Sequence, residues 1–516
     1  MKKMFVNSLN NRNPSNYLSM LLPIIIALIT TFLIRFPMLM ELPSTDQGIY
    51  AFWSQINYAY LSQGKGLVDF GTLMLYPALT SWVFSFDGNH IMLLRSFDLF
   101  IAVIASIIFF YVIKKESGGS SVIATILSIA ALSVMNHKVF ISSGFNNQFF
   151  AAYIPLFIAY LMSQSEIKNK YSWFYIGGLL SLAVLLRETL LPFFIVAGAS
   201  ILYAHGKKIT IDFSLGAACV GFPILVLIFF LRGDFFGLFT QYIFSNNYVY
   251  SYYDPFKFEY FLRNFLGSIK IFWFIASAAF LTLLLSIKFE KKGKLLFWVL
   301  IALVPLIEPL LKVGFPYHFS VCILGLTGLI AYGCSYLPKI NTNRNIKYLM
   351  TIFLIASLYS AYPSYSDSNI PRIKAVMKDL GQIRNKKFES GANEYSQYLT
   401  IAAKINENYS MDSTLASSGL MHVIYPLTGL LPPSRGFQDL AELYFDLDFN
   451  DDIFIKKLKI SSPDIILCSQ RDDRPIMKDL KKAIEKSGLY SQVFHFKRSD
   501  KHYGWQQAIL YEIKNK

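Results

Sequence analysis

Two carboxylates stand in the first long polar segment of the chain, and their positions suit acid–base chemistry. Asp46 is followed by Tyr50 and an amphipathic run, and Asp69 comes after a Gly-containing turn, shortly before Pro77. A carboxylate in hydrogen-bond reach of a hydroxyl can take its proton as the hydroxyl attacks. Acidic residues in a polar loop are also often exposed to solvent without a catalytic role. The elements that hold this loop therefore decide between a catalytic and a solvated carboxylate.

Most of the chain around this loop is apolar. Its 516 residues are 54% hydrophobic and 16% charged, and the mean hydropathy is +0.41. That composition excludes a soluble protein of this size. Apolar runs of about 15 to 22 residues recur before the C-terminal third, and a helix needs about 20 such residues to cross a bilayer.

These runs predict an α-helical polytopic membrane protein with about eleven transmembrane helices over residues 1–362. The predicted spans cover residues 18–34, 91–113, 120–136, 148–163, 172–186, 189–205, 213–231, 268–287, 295–311, 318–337 and 347–362. Between the seventh and eighth spans, a segment dense in Phe and Tyr suits the headgroup region, as an interfacial helix or an aromatic anchor.

A small α/β domain is predicted over residues 363–516, where hydropathy falls and soluble-protein patterns begin. The segments ANEYSQYLTIAAKINEN and RPIMKDLKKAIEKSG have the periodicity of amphipathic helices. Four short apolar segments have the composition of strands: STLASSG, DIILCSQ, YSQVFHF and QQAILYEI.

The formal net charge of +15 is explained by membrane topology rather than by binding of a nucleic acid. Basic residues gather in alternate short connections: Lys114 and Lys115, Lys168 and Lys170, Lys207 and Lys208, Lys288 to Lys294, and Lys339 to Lys347. By the positive-inside rule those connections and the N-terminus are cytoplasmic. An odd number of spans then makes the C-terminal domain extracytoplasmic.

Cationic and polar residues at the predicted outer ends of later spans are candidates for binding an anion. They are Arg187 beside Glu188, Arg263, and Lys312 with His318. A charge at the end of a span is also commonly a snorkelling anchor, which is the alternative for each of them. Lys312 and His318 are the stronger candidates because they flank a short turn, GFPY, at the rim of the membrane.

The order of motifs in the first polar segment resembles the opening of polytopic GT-C glycosyltransferases. The nearest kin by motif are bacterial relatives of dolichyl-phosphate-mannose protein mannosyltransferases and the lipid A aminoarabinose transferases. The matching strings are TDQGIYA, GKGLVDF, YPAL and LLRSFDLF, and they align Asp46, Gly48, Tyr50, Ala51, Asp69, Pro77 and Arg95 in order.

The resemblance implies an extracytoplasmic transferase in a bacterial inner membrane, using a sugar on a polyprenyl phosphate and inverting at the anomeric carbon. Asp46 and Asp69 would then be catalytic, and Tyr50 with the outer-end residues would bind substrate. A glycan, a lipid or a protein hydroxyl are all open as acceptor. Gln47 stands where this family commonly has an acid, so the sequence supports no divalent metal, and no cofactor is predicted.

Two other functions need similar architectures. A lipid-linked sugar flippase or other transporter would place charges or Pro/Gly breaks at the centres of spans. A polymerase or ligase of surface polysaccharide is close in chemistry but not in motif. Here the polar residues gather in one outer loop and at outer span ends, which favours the transferase.

The charge alternation makes a testable prediction about topology. Single cysteines at Ser62 and Ser413 should both react from outside the cell with a membrane-impermeant thiol reagent, whereas a cysteine at Asn343 should not. If the first polar segment and the C-terminal domain label from opposite sides, the predicted site cannot assemble.

Overall fold

The structure is a computed structural model that describes most of the chain. It describes residues 21–26, 45–64, 75–87, 90–135, 148–164, 171–232, 257–286, 292–307, 316–336, 394–418, 421–433, 450–470, 475–497 and 507–514, together with residues 28, 137, 140, 310, 348, 351–352, 355–356, 359 and 440.

The described residues form α-helices, short 3-10 helices and one sheet. The helices are α1 (Thr45–Ser62), α2 (Leu75–Thr80), α3 (His90–Glu116), α4 (Ser121–Met135), α5 (Gln148–Ser163), α6 (Ser172–Leu186), α7 (Leu191–Arg232), α8 (Lys257–Ser286), α9 (Lys292–Leu303), α10 (Pro316–Ser320), α11 (Cys322–Tyr336), α12 (Glu394–Asn408), α13 (Ile424–Thr428), α14 (Asp451–Ser461) and α15 (Pro475–Lys486). The 3-10 helices are Ser81–Ser85, Glu188–Leu190 and Val304–Leu306. The strands are β1 (Leu415–Ser418), β2 (Ile465–Gln470), β3 (Tyr490–Lys497) and β4 (Gln507–Ile513).

The predicted architecture is confirmed: the chain is a polytopic helical membrane protein with a small α/β region near its C-terminus. Within the described ranges, four helices are long and apolar enough to cross a membrane and five more are shorter apolar helices. These nine coincide with nine predicted spans. The first and last predicted spans are described only in part, and the Phe- and Tyr-rich segment before α8 lies outside the described residues.

The chain divides into two compact units. The membrane unit comprises residues 1–39, 96–227 and 243–374, and the sheet unit comprises residues 40–95, 228–242 and 375–516. The first polar segment therefore packs with the C-terminal residues. The predicted domain boundary at residue 363 lies outside the described residues and stays a prediction.

Helix α11 is the centre of the membrane unit and packs against α4, α8 and α9. Its glycines allow this close approach. A Cβ on Gly325 would meet the backbone of Ala302, and one on Gly328 would meet the ring of Trp298. Small residues at helix crossings let two backbones approach closely. Such packing stabilises helix pairs in a bilayer, where the hydrophobic effect does not drive helices together.

The helix ends that lead into basic connections lie together in the membrane unit. Lys115 donates from Nζ to the carbonyl of Gln164 at 3.0 Å. Glu116, whose side chain is fully buried, pairs with Lys294 at 3.0 Å and accepts from Trp298 Nε1 at 3.3 Å. These contacts join the ends of α3 and α5 to the start of α9, as the charge alternation requires. Which side of the membrane they face stays a prediction.

The sheet unit has three layers. The strands run in the order β1-β2-β4-β3, with β1 parallel to β2 and the remaining neighbours antiparallel. One face of the sheet carries Leu415, Leu467 and Leu510 and is covered by α1, α12 and α13. The other face is covered by α14 and α15. Helices on both faces bury the alternating apolar residues of each strand.

Candidate active site

Asp46 lies in the first turn of α1, which begins at Thr45. The sequence analysis placed Asp46 in a polar segment before an amphipathic run, whereas in the structure residue 46 is part of the helix. The side chains of residues 45–47 and all of Asp69 lie outside what the structure describes. The geometry of the site around Asp46 is therefore defined by the body of α1.

Helix α1 is fixed in the sheet unit on two sides. Phe52 and Ile56 are fully buried in the cluster that covers the sheet. On another side, Ser54 and Thr80 share a hydroxyl hydrogen bond of 2.8 Å, and Ala51 packs with Val83. An apolar stripe alone would leave rotation about the helix axis loosely defined. Because α1 is packed on two sides, its rotation is fixed, and so is the face of the helix on which position 46 lies.

Tyr50, a predicted substrate-binding residue, lies one turn after Asp46. Its ring packs edge-on against Trp53, with ring centroids 5.2 Å apart. Tyr50 is partly exposed. Positions 46, 50 and 53 are spaced i, i+4, i+7 and so share one face of the helix. Trp53 also packs against the cluster that covers the sheet, whereas Tyr50 remains partly exposed on this face.

Arg187 and Glu188 lie at the break between two membrane helices. Arg187 has an extended backbone, and its N–H donates to the carbonyl of Ala183 and ends α6. Its Nε donates to Thr189 Oγ1 at 3.2 Å. Only 4% of Arg187 is exposed, so it is not placed as a snorkelling anchor would be, with its head in water.

His318 belongs to the same end of the membrane unit as Arg187. The 3-10 helix Glu188–Leu190 packs on the 3-10 helix Val304–Leu306, which packs in turn on α10, where His318 lies. His318 is 4% exposed. Buried ionisable residues in membrane proteins are costly, and they are typically kept at substrate pathways or sites. Arg187, Glu188 and His318 thus lie on or next to short elements that are linked through the 3-10 helix Val304–Leu306.

Arg263 differs from these residues in its surroundings. It lies in α8 between Phe261 and Phe265, whose rings each pack 5.6 Å from that of Phe319. Arg263 occupies the other side of this helix and is exposed, as an anchor would be. Its helix begins at Lys257 rather than near residue 268 as predicted. Lys312 lies outside the described residues.

Sequence reasoning missed the polar residues that α1 buries in the sheet unit. His422 is buried, and its ring lies 5.4 Å from that of Phe52. Gln55 donates from Nε2 to the carbonyl of Leu430 at 3.1 Å. The string HVIYPLTGLLPP contains both C-terminal partners, yet nothing local marks them as neighbours of residues near position 50. Among the described side chains, no group of three or more His, Cys, Asp or Glu could hold a metal ion.

A comparison with solved structures finds a likeness that spans the whole chain. The crystal structure of ArnT from Cupriavidus metallidurans bound to undecaprenyl phosphate aligns with a TM-score of 0.59 at 11% sequence identity. The alignment covers 95% of this chain and 97% of that one. No family model and no curated protein matches the sequence. The chain therefore has the ArnT fold.

Proposed function

We propose that this protein is an integral membrane glycosyltransferase that moves a sugar from a polyprenyl phosphate to an acceptor hydroxyl on the extracytoplasmic face. The observation that carries the proposal is the ArnT fold over 95% of the chain, together with a carboxylate in the first turn of a helix packed on two sides. The lipid bound to ArnT supports the donor class. The proposed location is a bacterial inner membrane, with the N-terminus cytoplasmic and the C-terminal domain outside.

The donor class also follows from chemistry. Nucleotide sugars are held in the cytoplasm, so a transferase working outside needs a sugar carried on a membrane lipid. In a single displacement, the acceptor oxygen attacks the anomeric carbon as the bond from that carbon to the phosphate oxygen breaks. The phosphate leaves with the bonding electrons, the configuration inverts, and the hydroxyl proton passes to a base.

Asp46 is the proposed base, with Asp69 orienting the substrate. Arg187, Lys312 and His318 are proposed to bind the donor phosphate, whose charge grows as it leaves and must be neutralised. Arg187 and His318 are each 4% exposed, and the burial of ionisable side chains in a membrane protein supports a role at a substrate site. Glu188 and Tyr50 are proposed to contact substrate, and Arg263 to have a lesser part.

The phosphate-binding role predicts a graded loss of donor use. Replacing His318 or Lys312 by Ala should weaken donor binding by about 1–3 kcal/mol, the range for charge-assisted hydrogen bonds. Arg263→Ala, at an exposed position on the same unit, is the matched control and should change the donor KM less. The donor KM of purified variants measures this. Unchanged values for both His318→Ala and Lys312→Ala would identify them as anchors.

The base assignment predicts a large loss of turnover from a small chemical change. Asp46→Asn keeps the size of the side chain but removes its charge and basicity, so kcat should fall by about 100-fold to 10,000-fold. Asp69→Asn should lower kcat by a smaller factor than Asp46→Asn. Asp87→Asn, an exposed acid in the same unit, should have no effect.

Asn is also a good helix cap, so the same substitution would be nearly silent if Asp46 only stabilised the start of α1. Sugar transfer from the polyprenyl-phosphate donor by the purified variants separates the two roles. Near-normal turnover in Asp46→Asn would exclude Asp46 as the base.

A further inference from the structure

At Gly48, two positions after Asp46, the backbone of α1 lies close to Val423 of the C-terminal region. A Cβ built on Gly48 would lie 3.3 Å from the backbone nitrogen of Val423 and 3.4 Å from its Cβ. Glycine inside a helix costs about 0.5–1 kcal/mol relative to alanine. The space explains its presence here, because a Cβ at this position would be closer to Val423 than an ordinary van der Waals contact, and one of the two backbones would have to move by a few tenths of an ångström.

The contact continues along one face of the helix. Phe52 is fully buried with its ring 4.3 Å from that of Tyr425, and Gln55 is hydrogen-bonded to Leu430. Positions 48, 52 and 55 are spaced i, i+4, i+7 and form a single stripe. Each of the three has a partner in one short segment, residues 421–430, which includes α13.

That segment is itself bound to the sheet. The Tyr425 hydroxyl donates to the carbonyl of Leu415 at 3.1 Å and accepts from the N–H of Ser417 at 3.0 Å. Both partners are in β1. Tyr425 therefore connects the sheet to the docked face of α1 through one buried side chain, and Val423 meets the helix two residues before it.

The docked face and the face of Asp46 are different sides of α1. Each residue turns the helix by about 100°, so position 48 lies about 200° round from position 46. Residues 421–430 thus contact α1 on the side away from positions 46 and 50. Since the ends of helices fray, a contact at Gly48 bears directly on where the first turn holds its carboxylate.

We infer that residues 421–430 of the C-terminal domain are a positioning element for the active site, with Val423 as a positioning residue for Asp46. The inference rests on the proposed role of Asp46. A misplacement of about 1 Å at a reacting group can cost about 100-fold in rate. The C-terminal domain therefore supplies part of the catalytic geometry, whatever acceptor it also binds.

The experiment uses Gly48→Ala in the full-length protein. The added Cβ would lie 3.3 Å from the backbone nitrogen of Val423, so the first turn must shift by a few tenths of an ångström. The kcat should fall about 3-fold to 10-fold with the donor KM unchanged, because geometry at the base is disturbed and donor binding is not. Gly48→Leu places a larger side chain against the same atoms and should lower kcat further. Gly267→Ala, a helical glycine with nothing within 4 Å of its Cβ position, is the matched control and should be neutral.

Hydrogen exchange gives a readout that needs no substrate. The amides of residues 49–52 close the first turn of α1, and their exchange should speed up in Gly48→Ala and more so in Gly48→Leu. Normal exchange and normal kcat in Gly48→Ala, or no further loss in Gly48→Leu, would overturn the inference. If Asp46→Asn is inactive while Gly48→Ala is normal, only the positioning inference fails. If Asp46→Asn is fully active, the proposed base fails.

Discussion

The burial of Phe52 and Ile56 against the sheet is the interaction on which the candidate site depends. Full burial of one such side chain is worth about 1.5–3 kcal/mol, and both are fully buried in the cluster that also contains Leu415, Leu467 and Leu510. This packing joins the first polar segment to residues more than 350 positions later. Among the described residues of the first polar segment, Thr80 and Val83 contact a different side of α1. The acid is therefore located by tertiary packing rather than by the span that precedes it.

Buried charge has two different roles at the two ends of the membrane unit. At one end, Glu116 is paired with Lys294 and bonded to Trp298, and this network ties α3 to α9. At the other end, Arg187 and His318 are buried among short 3-10 helices that interrupt the membrane helices. Irregular backbone within a membrane protein is tolerated where it is buried in protein or lines a cavity. The first arrangement fits a structural tie, and the second fits a place where a charged group of a substrate is bound.

Much of the fold follows from the sequence because hydropathy and periodicity are local signals. The bounds predicted for α5 and α6 match the structure, and the four strands lie where alternating apolar residues placed them. Helix α14 was missed because its apolar residues do not define one clear face: DDIFIKKLKIS buries Phe454 and Leu458, whereas Ile453 and Ile460 are exposed. The start of α8 was placed too late, since its first turns are amphipathic and only the later ones are uniformly apolar.

The candidate site was predictable only in part. The motif order pointed to Asp46, and outer-end charge pointed to Arg187 and His318, but burial distinguishes these two from the exposed Arg263. The docking of α1 on residues 421–430 was not predictable, because one sequence carries no signal for a contact between distant segments. Gly48 was visible as part of a motif, and its physical reason, the approach of Val423, appears only in three dimensions.

The central claim is that the protein consumes a polyprenyl-phosphate-linked sugar. Mass spectrometry of lipids extracted from cells that lack the protein tests it most directly, with cells complemented by the natural chain and by the Asp46→Asn chain. A polyprenyl-phosphate sugar should accumulate without the protein, disappear on complementation with the natural chain, and persist with Asp46→Asn. No accumulation of any such lipid in the deletion, or its equal removal by Asp46→Asn, would contradict the account.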